Sequence, residues 1–388
     1  MNKFNYLKSL FALVVAFSCA IMFSPPPNIE AQALGPPGLD SKAYCLVEAG
    51  SGQVLLEQNS LEHLPIASVT KTMTLLLTFE AMEKGQFTPQ DMLLSSENAS
   101  GMGGSQVFLE PNTKYKVEDL LYAVVMSSAN DASVVFAEAI GGSEQGFVDM
   151  MNAKAKSMGL KNTHFSNCTG LPANDHYSCA SDVACIMKEL SRHTQYFDYT
   201  KERLRDFVHP TGRITQMTNT NKLVRSYNGC DAGKTGSTVE AGYCLSATAM
   251  RNNMRLICVV LGAKNSKQRF SDCANILDYG FANYESKCLV DKNQPILCSN
   301  TIAHAKNQEI YAHPQDSYYY VSKKGEEHNL SISTQYYDVN APMAVGKCIG
   351  QIIVMQDDNV LQQINLVLDQ DVQRKTLFDE VKGILSEW

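Results

Sequence analysis

A serine and a lysine stand three residues apart in the segment IASVTKTMT at 66–74, where polar residues give way to an apolar run. Residues three apart on a helix share a face, so the amine of Lys71 can lie beside the hydroxyl of Ser68. A serine hydroxyl becomes a useful nucleophile only when a neighbouring base takes its proton. A lysine can be that base when burial or a second cation lowers its pKa. The pair therefore predicts covalent catalysis by Ser68, with an ordinary surface lysine as the alternative.

Two more segments place polar side chains where they could assist this pair. The first is KTGS at 234–237, shortly before the strand-like segment YCLSATAM, and the second is SAN at 128–130, between two apolar helical segments. Two other Ser-x-Asn segments, at 96–98 and 226–228, have the same spacing. We favour 128–130 because it joins two apolar helices and because Asp131 after it is a good N-cap residue.

Hydrophobic periodicity predicts the elements that must position these segments. In chain order they are a hairpin within 40–60, helices at 68–83, 117–126, 131–140, 146–160 and 180–193, strands at 244–250 and 255–263, and a helix at 270–285. Helices and strands mix without strict βαβ alternation, which indicates an α+β fold.

The sequence changes character after about Glu285. Short β-branched and aromatic segments alternate with turn clusters to about Gln370, which predicts a separate small all-β domain. The final segment, LFDEVKGILSEW at 377–388, has an apolar stripe roughly 120° wide, typical of an amphipathic helix. Two interpretations of this tail stay open, a helix docked on the β domain and a helix lying in a membrane surface.

Residues 1–33 are predicted to be an export signal. Lys3 and Lys8 precede a short apolar stretch, and Ala31-Gln32-Ala33 is a small-x-small cleavage pattern. An uncleaved anchor helix is disfavoured because the apolar stretch is short for a membrane span. The predicted domains are a signal at 1–33, a main domain at 34–285, an all-β domain at 286–370 and a tail helix at 371–388. We expect the protein to work outside the cytoplasm, in the cell envelope.

Length, composition and charge limit the possible class of protein. With 388 residues, 44% of them hydrophobic, the chain can bury a sizeable core in two or three domains. Without residues 1–33 the formal charge is -8, and no basic patch stands out, so we expect no nucleic-acid partner.

The 12 cysteines are scattered, with no CxxC spacing and no nearby histidine pairs. This pattern disfavours a zinc site or a compact disulfide framework, and we expect neither a metal nor a cofactor. Loss of Cys19 with the signal leaves an odd number, which cannot all pair. Cys185 and Cys258 lie in apolar segments and are expected to be small core residues.

The order of the motifs, SxxK then SxN then KTG, is that of penicillin-binding proteins and serine β-lactamases. The longer segments NSLEHLPIASVTKTMT, GGSQVFLEP, VVMSSANDASVVFAE and KTGSTVEAGYCLSATA resemble the low-molecular-mass D-alanyl-D-alanine carboxypeptidases. So does the small β domain with its amphipathic tail. The resemblance implies a penicillin-binding-protein and β-lactamase-like DD-peptidase domain, followed by the small all-β domain and the tail helix.

The resemblance also implies an activity. The enzyme would remove the terminal D-alanine from peptidoglycan stem peptides ending in D-Ala-D-Ala, and β-lactam antibiotics would inhibit it covalently. Ser68 would carry the acyl group and Lys71 would be the base, although the acylation base of this superfamily is disputed. Ser128 and Lys234 would pass the proton to the leaving amine, and Asn130 would hold the substrate amide.

Further residues would bind the oxyanion and the substrate carboxylate. Backbone N–H groups of Ser68 and Ser237 would stabilise the oxyanion, and Gly236 would let the strand approach the substrate. Lys234, Thr235 and an arginine would receive the carboxylate. We choose Arg269 because LGAKNSKQRFSDC resembles the family segment that supplies this arginine, and Arg251 and Arg255 flank a turn.

Three observations bear on other interpretations. No glutamate lies between Asn152 and Lys188, so the water-holding glutamate of a class A β-lactamase has no counterpart there. A catalytically silent envelope-binding module is disfavoured by intact Ser68, Lys71 and Lys234. A Ser-His-Asp triad is not favoured, since no GxSxG elbow surrounds any serine.

Gly233 departs from the family pattern, where a larger apolar residue is usual, and is expected to loosen the strand.

Overall fold

The structure is a computed structural model that describes residues 38–298, 301–307 and 309–379. The predicted export signal at 1–33 and residues 380–388 of the predicted tail helix lie outside these ranges. The α-helices of the described residues are α1 Lys71–Glu83, α2 Glu97–Ser100, α3 Val117–Met126, α4 Asn130–Gly141, α5 Glu144–Ser157, α6 Ala180–Leu190, α7 Leu223–Ser226 and α8 Ser266–Asn283.

The strands lie in two main sheets and several short pairs. They are β1 Ala43–Glu48, β2 Val54–Gln58, β3 Met92–Ser95, β4 Thr113–Lys116, β5 Leu204–Val208, β6 Ile214–Thr218, β7 Cys230–Thr238, β8 Gly242–Arg251, β9 Met254–Ala263, β10 Tyr284–Val290, β11 Ile296–Leu297, β12 Ile302–Ala303, β13 Tyr311–Pro314, β14 Tyr318–Lys323, β15 Leu330–Tyr336, β16 Val339–Asn340, β17 Cys348–Gln356 and β18 Asn359–Leu368.

The larger part of the chain is built on an antiparallel sheet with the order β2-β1-β9-β8-β7. Helices cover both of its faces. Ala43, Cys45 and Val47 of β1 join the core formed with α1, α3, α4 and α6, whereas Tyr44 and Leu46 join the core under α8. Because both faces are covered, β1 is buried along its whole length and lacks the polar alternation of a half-exposed strand.

Helix α8 packs closely on its face of the sheet. A Cβ at Gly280 would lie 2.6 Å from Leu256 Cδ1 and 2.8 Å from Leu46 Cδ2, so a larger residue there would require both leucine side chains to shift. The periodicity predicted this helix at 270–285, and the structure starts it four residues earlier, at Ser266. Asn265 explains the earlier start, because its side chain accepts the N–H of Gln268 as an N-cap.

Helix α1 is buried around most of its circumference, which is the pattern of an interior helix. The sequence predicted an α-helix from Ser68. The structure instead places Ser68 in the 3-10 turn Ala67–Thr70, and the α-helix begins at Lys71. The first residue of this interior helix is therefore a lysine, whose side chain is fully buried.

Two local predictions are wrong. Asp131 is not an N-cap, because α4 begins at Asn130; the buried Asp131 carboxylate instead accepts the N–H groups of Val107 and Leu109 at 3.2 and 3.0 Å. It thereby ties the segment before β4 to α4. Cys185 is exposed on α6 rather than in the core, whereas Cys258 is buried as expected. The cysteines of the described residues are all free thiols.

Strand β7 contains the whole KTGS segment. Periodicity does not predict this strand, since its glycine, serine and threonine residues give no apolar alternation. Its pairing with β8 defines it, with Lys234 opposite Ser246 and Gly236 opposite Cys244. Within the described part of the chain β7 pairs on one side only, so its other edge has no strand partner.

Beyond α8 the chain enters β10 and then a second sheet with the order β11-β13-β18-β17-β15. Residues such as Ile310, Ile349, Val354 and Leu366 form its separate core. An α+β fold followed by a small all-β region is therefore confirmed.

Candidate active site

The predicted nucleophile lies in a strained turn. Ala67 has a φ of 47°, in the left-handed region that residues other than glycine rarely adopt. Ala67 and Val69 are buried, while Ser68 between them is partly exposed. Strained backbone of this kind is found mostly at functional sites. The turn thus presents one hydroxyl to solvent from an otherwise buried segment.

Two glycines allow the rest of the site to close around this turn. A Cβ at Gly236 of β7 would lie 2.9 Å from the backbone nitrogen of Ser68. A Cβ at Gly170 would overlap the carbonyl oxygen of Ala67. The sequence predicted that Gly236 lets β7 approach the substrate. In the structure its lack of a side chain lets β7 approach the nucleophile.

The Lys71 amine meets three oxygen atoms. Its Nζ lies 2.9 Å from Ser68 Oγ, 2.6 Å from Asn130 Oδ1 and 2.6 Å from the carbonyl oxygen of Thr169. The orientation of the Asn130 amide is fixed by its other end, because Nδ2 donates to the Gly103 carbonyl at 2.7 Å. Asn130 Oδ1 and Thr169 O can only accept hydrogen bonds. A neutral Lys71 amine, which has two N–H groups, would give both to them and turn its lone pair toward Ser68.

Burial lowers the pKa of Lys71 to about 7, and the Cys168 and Asp131 side chains offset part of the decrease. The physical cause is desolvation, which penalises the charged ammonium. Near neutral pH a large fraction of Lys71 is therefore neutral. The residue has the geometry and the pKa of a general base for Ser68.

The SAN segment is held by backbone contacts on both sides. Ser128 has a φ of 60°, and the N–H of Ala129 donates to the Ala123 carbonyl of α3 at 3.1 Å. The N–H of Asn130 donates to the Ser105 carbonyl at 2.7 Å. These contacts direct Ser128 and Asn130 toward the two lysines of the site.

Lys234 lies on β7 and is also almost fully buried. Its Nζ donates to Ser128 Oγ at 2.8 Å and to the Thr235 carbonyl at 3.0 Å. Burial, then the charges of Lys71 and Arg269, lower the pKa of Lys234 well below its ordinary value. The structure therefore joins Ser68, Lys71 and Asn130 in one set of contacts and Ser128 with Lys234 in a second.

Two further predicted site residues contact β7 or belong to it: Thr235 lies on the strand, and Arg269 of α8 donates to it. Thr235 Oγ1 hydrogen-bonds to Thr220 Oγ1 at 2.8 Å. Arg269 is not a solvated surface residue: it is 8% exposed and donates from Nη1 to the Gly236 carbonyl at 3.0 Å. Its Nε has no hydrogen-bond partner among the described residues. Ser237, one residue beyond Gly236, is exposed on β7.

The other Ser-x-Asn segments lie elsewhere. Ser96 caps α2 by accepting the Ala99 N–H, and Asn98 donates to Glu138. Ser226 donates to the Lys222 carbonyl.

Arg251, Arg255 and His176 contact partners other than Ser68. Arg255 forms an ion pair with Asp231 at 2.8 Å, and Arg251 pairs with Asp278. His176 contacts Thr70 Oγ1 through Nε2 at 2.7 Å, and burial lowers its pKa to about 4, so it is neutral at physiological pH.

Gly233 pairs with Ala247 in the ladder between β7 and β8. A Cβ there would lie 2.6 Å from Asn221 Nδ2 and 2.6 Å from the Ser246 carbonyl oxygen. The Asn221 side chain, which donates to the Ala232 carbonyl at 3.3 Å, occupies the space of a larger residue. The side chain of Asn221 therefore fills the space that the larger residue usual in the family would occupy at position 233.

Sequence reasoning did not identify two groups of the site. The Thr169 carbonyl accepts from Lys71, and the Thr220 hydroxyl contacts Thr235. Every residue has a backbone carbonyl, so no sequence motif could have identified the carbonyl of Thr169 as part of the site. Thr220 lies between β6 and α7, in a segment where the sequence carries no recognisable pattern.

Comparison with known proteins gives consistent matches over nearly the whole chain. A family profile described as D-alanyl-D-alanine carboxypeptidase matches residues 30–265, and one for the C-terminal domain of penicillin-binding protein 5 matches 284–374. D-alanyl-D-alanine carboxypeptidase DacF of Bacillus subtilis (strain 168) is 37% identical over 358 residues, 90% of each chain. DacC of Escherichia coli (strain K12) is 30% identical over 97% of this chain and 95% of its own.

A solved structure agrees with these matches. Penicillin-binding protein 5 from Haemophilus influenzae superposes with a TM-score of 0.70 at 30% identity, covering 88% of this chain and 100% of that one. The site and the fold are those of a penicillin-binding-protein-like serine hydrolase. The chain belongs to the D-alanyl-D-alanine carboxypeptidase family, as its motifs predicted.

The close approach of β7 to the nucleophile turn can be tested with Gly236→Ala. The added methyl group overlaps the Ser68 backbone, so we expect a loss of about 1–3 kcal/mol in the free energy of unfolding. Urea denaturation measures this change. Gly103→Ala is the matched control, because a Cβ there meets open space and should change stability by no more than about 0.5 kcal/mol. Equal effects of the two substitutions would contradict the packing described.

Proposed function

We propose that the protein is a serine-type D-alanyl-D-alanine carboxypeptidase that removes the terminal D-alanine of peptidoglycan stem peptides through an acyl-enzyme on Ser68. One observation carries the assignment of roles: the buried Lys71 amine lies 2.9 Å from the Ser68 hydroxyl, and its pKa is lowered to about 7. Family membership supports the reaction and the substrate class.

In the proposed acylation, Lys71 takes the proton of Ser68 as Oγ bonds to the carbonyl carbon of the penultimate D-alanine. The carbonyl oxygen becomes an oxyanion that accepts the N–H groups of Ser68 and Ser237. Because Gly236 brings β7 against the Ser68 backbone, these two N–H groups can serve one cleft.

Collapse of the intermediate breaks the C–N bond and needs a proton for the leaving amine. Ser128 is placed to deliver it, since its hydroxyl lies 2.8 Å from Lys234 Nζ and can be reprotonated from there. D-alanine leaves with that proton. The proton that Lys71 took from Ser68 then passes through solvent to Lys234, so that both lysines regain their starting states. Water attacks the ester carbonyl as Lys71 takes a proton from that water, and Lys71 gives the proton to Ser68 Oγ as the ester C–O bond breaks.

The terminal carboxylate of the substrate requires cations. Lys234 and Thr235 lie at the free edge of β7, and a bound carboxylate would favour the charged form of Lys234. Arg269 adds positive charge behind the strand and holds the Gly236 carbonyl. We propose that Arg269 acts mainly by positioning β7 and through its charge, because Nη1 is already engaged.

A serine β-lactamase and a silent envelope-binding module are not favoured. The segment between Asn152 and Lys188 contains no glutamate to hold a deacylating water, so penicillin should acylate Ser68 and remain bound. The intact contacts of Ser68, Lys71 and Lys234 argue against a silent module. A persistent covalent label from a labelled penicillin is the expected result.

We further propose that residues 1–33 direct export and that the protein acts in the cell envelope, with 34–285 as catalytic domain and 286–370 as small β domain. Among the residues that the structure describes, none of the helices combines the length and the hydrophobicity that a membrane span requires. The predicted start of the tail helix at 371 is wrong, because Val372 and Arg374 form isolated β-bridges with Met343 and Ala305 and the described helical residues begin at Leu377. We also propose that the tail contacts a membrane surface.

The activity can be measured as free D-alanine released from a synthetic peptide ending in D-Ala-D-Ala. We expect release by the wild type and, for Ser68→Ala, a loss on the order of 10⁴-fold, because no nucleophile remains. Ser157→Ala, which removes an exposed hydroxyl on α5, is the control and should release D-alanine at the wild-type rate. Equal release by Ser68→Ala and wild type would refute the assignment.

The pH dependence of acylation tests the role of Lys71. A protonated Lys71 has no lone pair, so the rate must fall as pH drops below the pKa of about 7. Between about pH 6 and pH 8 we expect a rise of about tenfold in the second-order rate constant for acylation by benzylpenicillin. His176, whose pKa is lowered to about 4, stays neutral in this window and cannot produce the change. A flat profile would be incompatible with the proposed base.

A further inference from the structure

The small β domain has an exposed face without charge. Its strands β15, β17 and β18 contain no lysine, arginine, aspartate or glutamate, although 19% of the whole chain is charged. Strand β15 ends the sheet in the described part of the chain, and exposed edge strands are usually protected by charged side chains. Here serine, glutamine and asparagine side chains cover the face that points away from the core. Such a face suits a ligand that is itself polar and neutral.

Four amide side chains form a line across this face, and we call them the amide row. Gln335 of β15 lies directly opposite Gln351 of β17, and Gln351 lies directly opposite Asn365 of β18. The backbone N–H of Gln315, which follows β13, donates to the Asn365 carbonyl at 2.8 Å and adds the fourth member. Neighbouring strands lie about 4.8 Å apart, so the amide row is about 14 Å long.

The amides of the row bond to each other in pairs and keep part of their hydrogen-bonding capacity. Gln351 Nε2 donates to Gln335 Oε1 at 3.0 Å, and Asn365 Nδ2 donates to Gln315 Oε1 at 2.9 Å. These side chains have no other hydrogen-bond partner among the described residues. Each pair therefore presents one unused NH2 group and one unused carbonyl oxygen. A donor beside an acceptor complements the N–H and C=O groups of a secondary amide.

The sheet fixes the position of the row. Ile352, Ile364 and Leu366 are neighbours of the row members along β17 and β18, and their side chains are buried in the core of the β domain. Ile353 and Val367 are partly exposed on the same face as the row, one on each side of it. The face thus combines hydrogen-bonding groups at fixed places with small apolar surfaces. This combination can bind a ring that has polar edges and apolar faces.

We propose that the amide row binds a neutral glycan strand whose sugars carry acetamido groups. The acetamido N–H and C=O groups and the sugar hydroxyls bond to the unused amide groups, and the sugar rings pack on Ile353 and Val367. Because the three strands lack lysine and arginine, an anionic polymer or an anionic membrane surface would find no opposite charge on them. The site goes beyond the proposed carboxypeptidase function, which supplies only the source of the glycan, the polymer to which stem peptides are attached.

Binding can be measured in the ¹⁵N–¹H spectrum of the whole protein, where the side-chain NH2 groups of the row give their own signals. The probes are chitotetraose and cellotetraose, two neutral tetrasaccharides of which only the first carries acetamido groups. We expect chitotetraose to shift the signals of the row with a Kd of about 1 mM. Cellotetraose should bind about fivefold more weakly, because the acetamido hydrogen bonds are missing. Single Gln→Glu substitutions assign the signals.

The double variant Gln315→Glu with Gln335→Glu removes the two unused NH2 groups and keeps the size of both side chains. We expect its affinity for chitotetraose to fall about tenfold, as for the loss of two hydrogen bonds. Gln362→Glu is the matched control. Gln362 is exposed on β18 opposite Val354, on the other face of the sheet, and its substitution should leave the affinity within about twofold of wild type. Thermal unfolding of each variant checks that the fold is intact.

Activity on two substrates gives a second readout. On glycan strands that carry stem peptides, the double variant should release D-alanine about threefold more slowly than wild type, because it is no longer held on the polymer. On a free peptide ending in D-Ala-D-Ala the two proteins should be equally fast. Slower release from the free peptide as well would show a general structural defect and would count against the glycan site.

Three results overturn the inference and leave the carboxypeptidase standing. They are unshifted signals of the row at about 10 mM chitotetraose, equal affinity for the two tetrasaccharides, and unchanged affinity in the double variant. A dimer in sedimentation that the double variant abolishes also overturns it, because the face would then bind a second copy of the chain. Absence of D-alanine release from the free peptide by wild type overturns the proposed function alone, since the titration does not depend on activity.

Discussion

The contacts of one amine govern the rest of the site. Lys71 Nζ lies among Ser68 Oγ, Asn130 Oδ1 and the Thr169 carbonyl, in a place from which water is excluded. Removing an ammonium group from water costs several kcal/mol, which favours the neutral form. Two acceptors take the N–H groups of that neutral form, and its lone pair is left for the serine. Burial and hydrogen-bond geometry are the physical basis of the proposed role of Lys71 as a base, because lysine is normally a charged surface residue.

Much of the fold is needed to maintain this environment. The three oxygen atoms come from the turn before α1, from α4 and from the loop around Gly170, so their convergence requires the packed domain. Helix α1 is interior, which carries its first residue away from solvent. Gly236 lets the edge strand reach the Ser68 backbone, and that strand brings Lys234 to Ser128. Substitutions in the core are therefore expected to affect reactivity as well as stability.

Sequence patterns predicted those site residues whose proposed function depends on a type of side chain. SxxK, SAN and KTG could be recognised because serine, lysine and asparagine have distinctive chemistry, and the structure brings these residues together. Arg269, chosen from a family resemblance, lies behind β7 as a buried residue, and its burial could not be read from its polar surroundings in sequence. The helices α1, α3 and α8 followed from apolar periodicity to within a few residues.

Other features depend on tertiary contacts and had no local signal. Strand β7 has no apolar alternation and exists through its pairing with β8. Asp131 has the sequence context of an N-cap, yet its carboxylate binds the backbone of the 107–109 segment, which is distant in sequence. The Thr169 carbonyl is a backbone group, which any residue could supply. Gly233 could be judged only after Asn221 was seen to fill the neighbouring space.

The protonation state of Lys71 is the central claim, and it can be measured directly. In protein labelled with ¹⁵N at the lysine side chains, NMR follows each Nζ from about pH 5 to pH 10, and the Lys71→Arg variant assigns the signal. The account predicts that the Lys71 resonance titrates with a midpoint near 7. A Lys71 signal that remains that of a charged ammonium up to about pH 10, as for a solvated lysine, would contradict it.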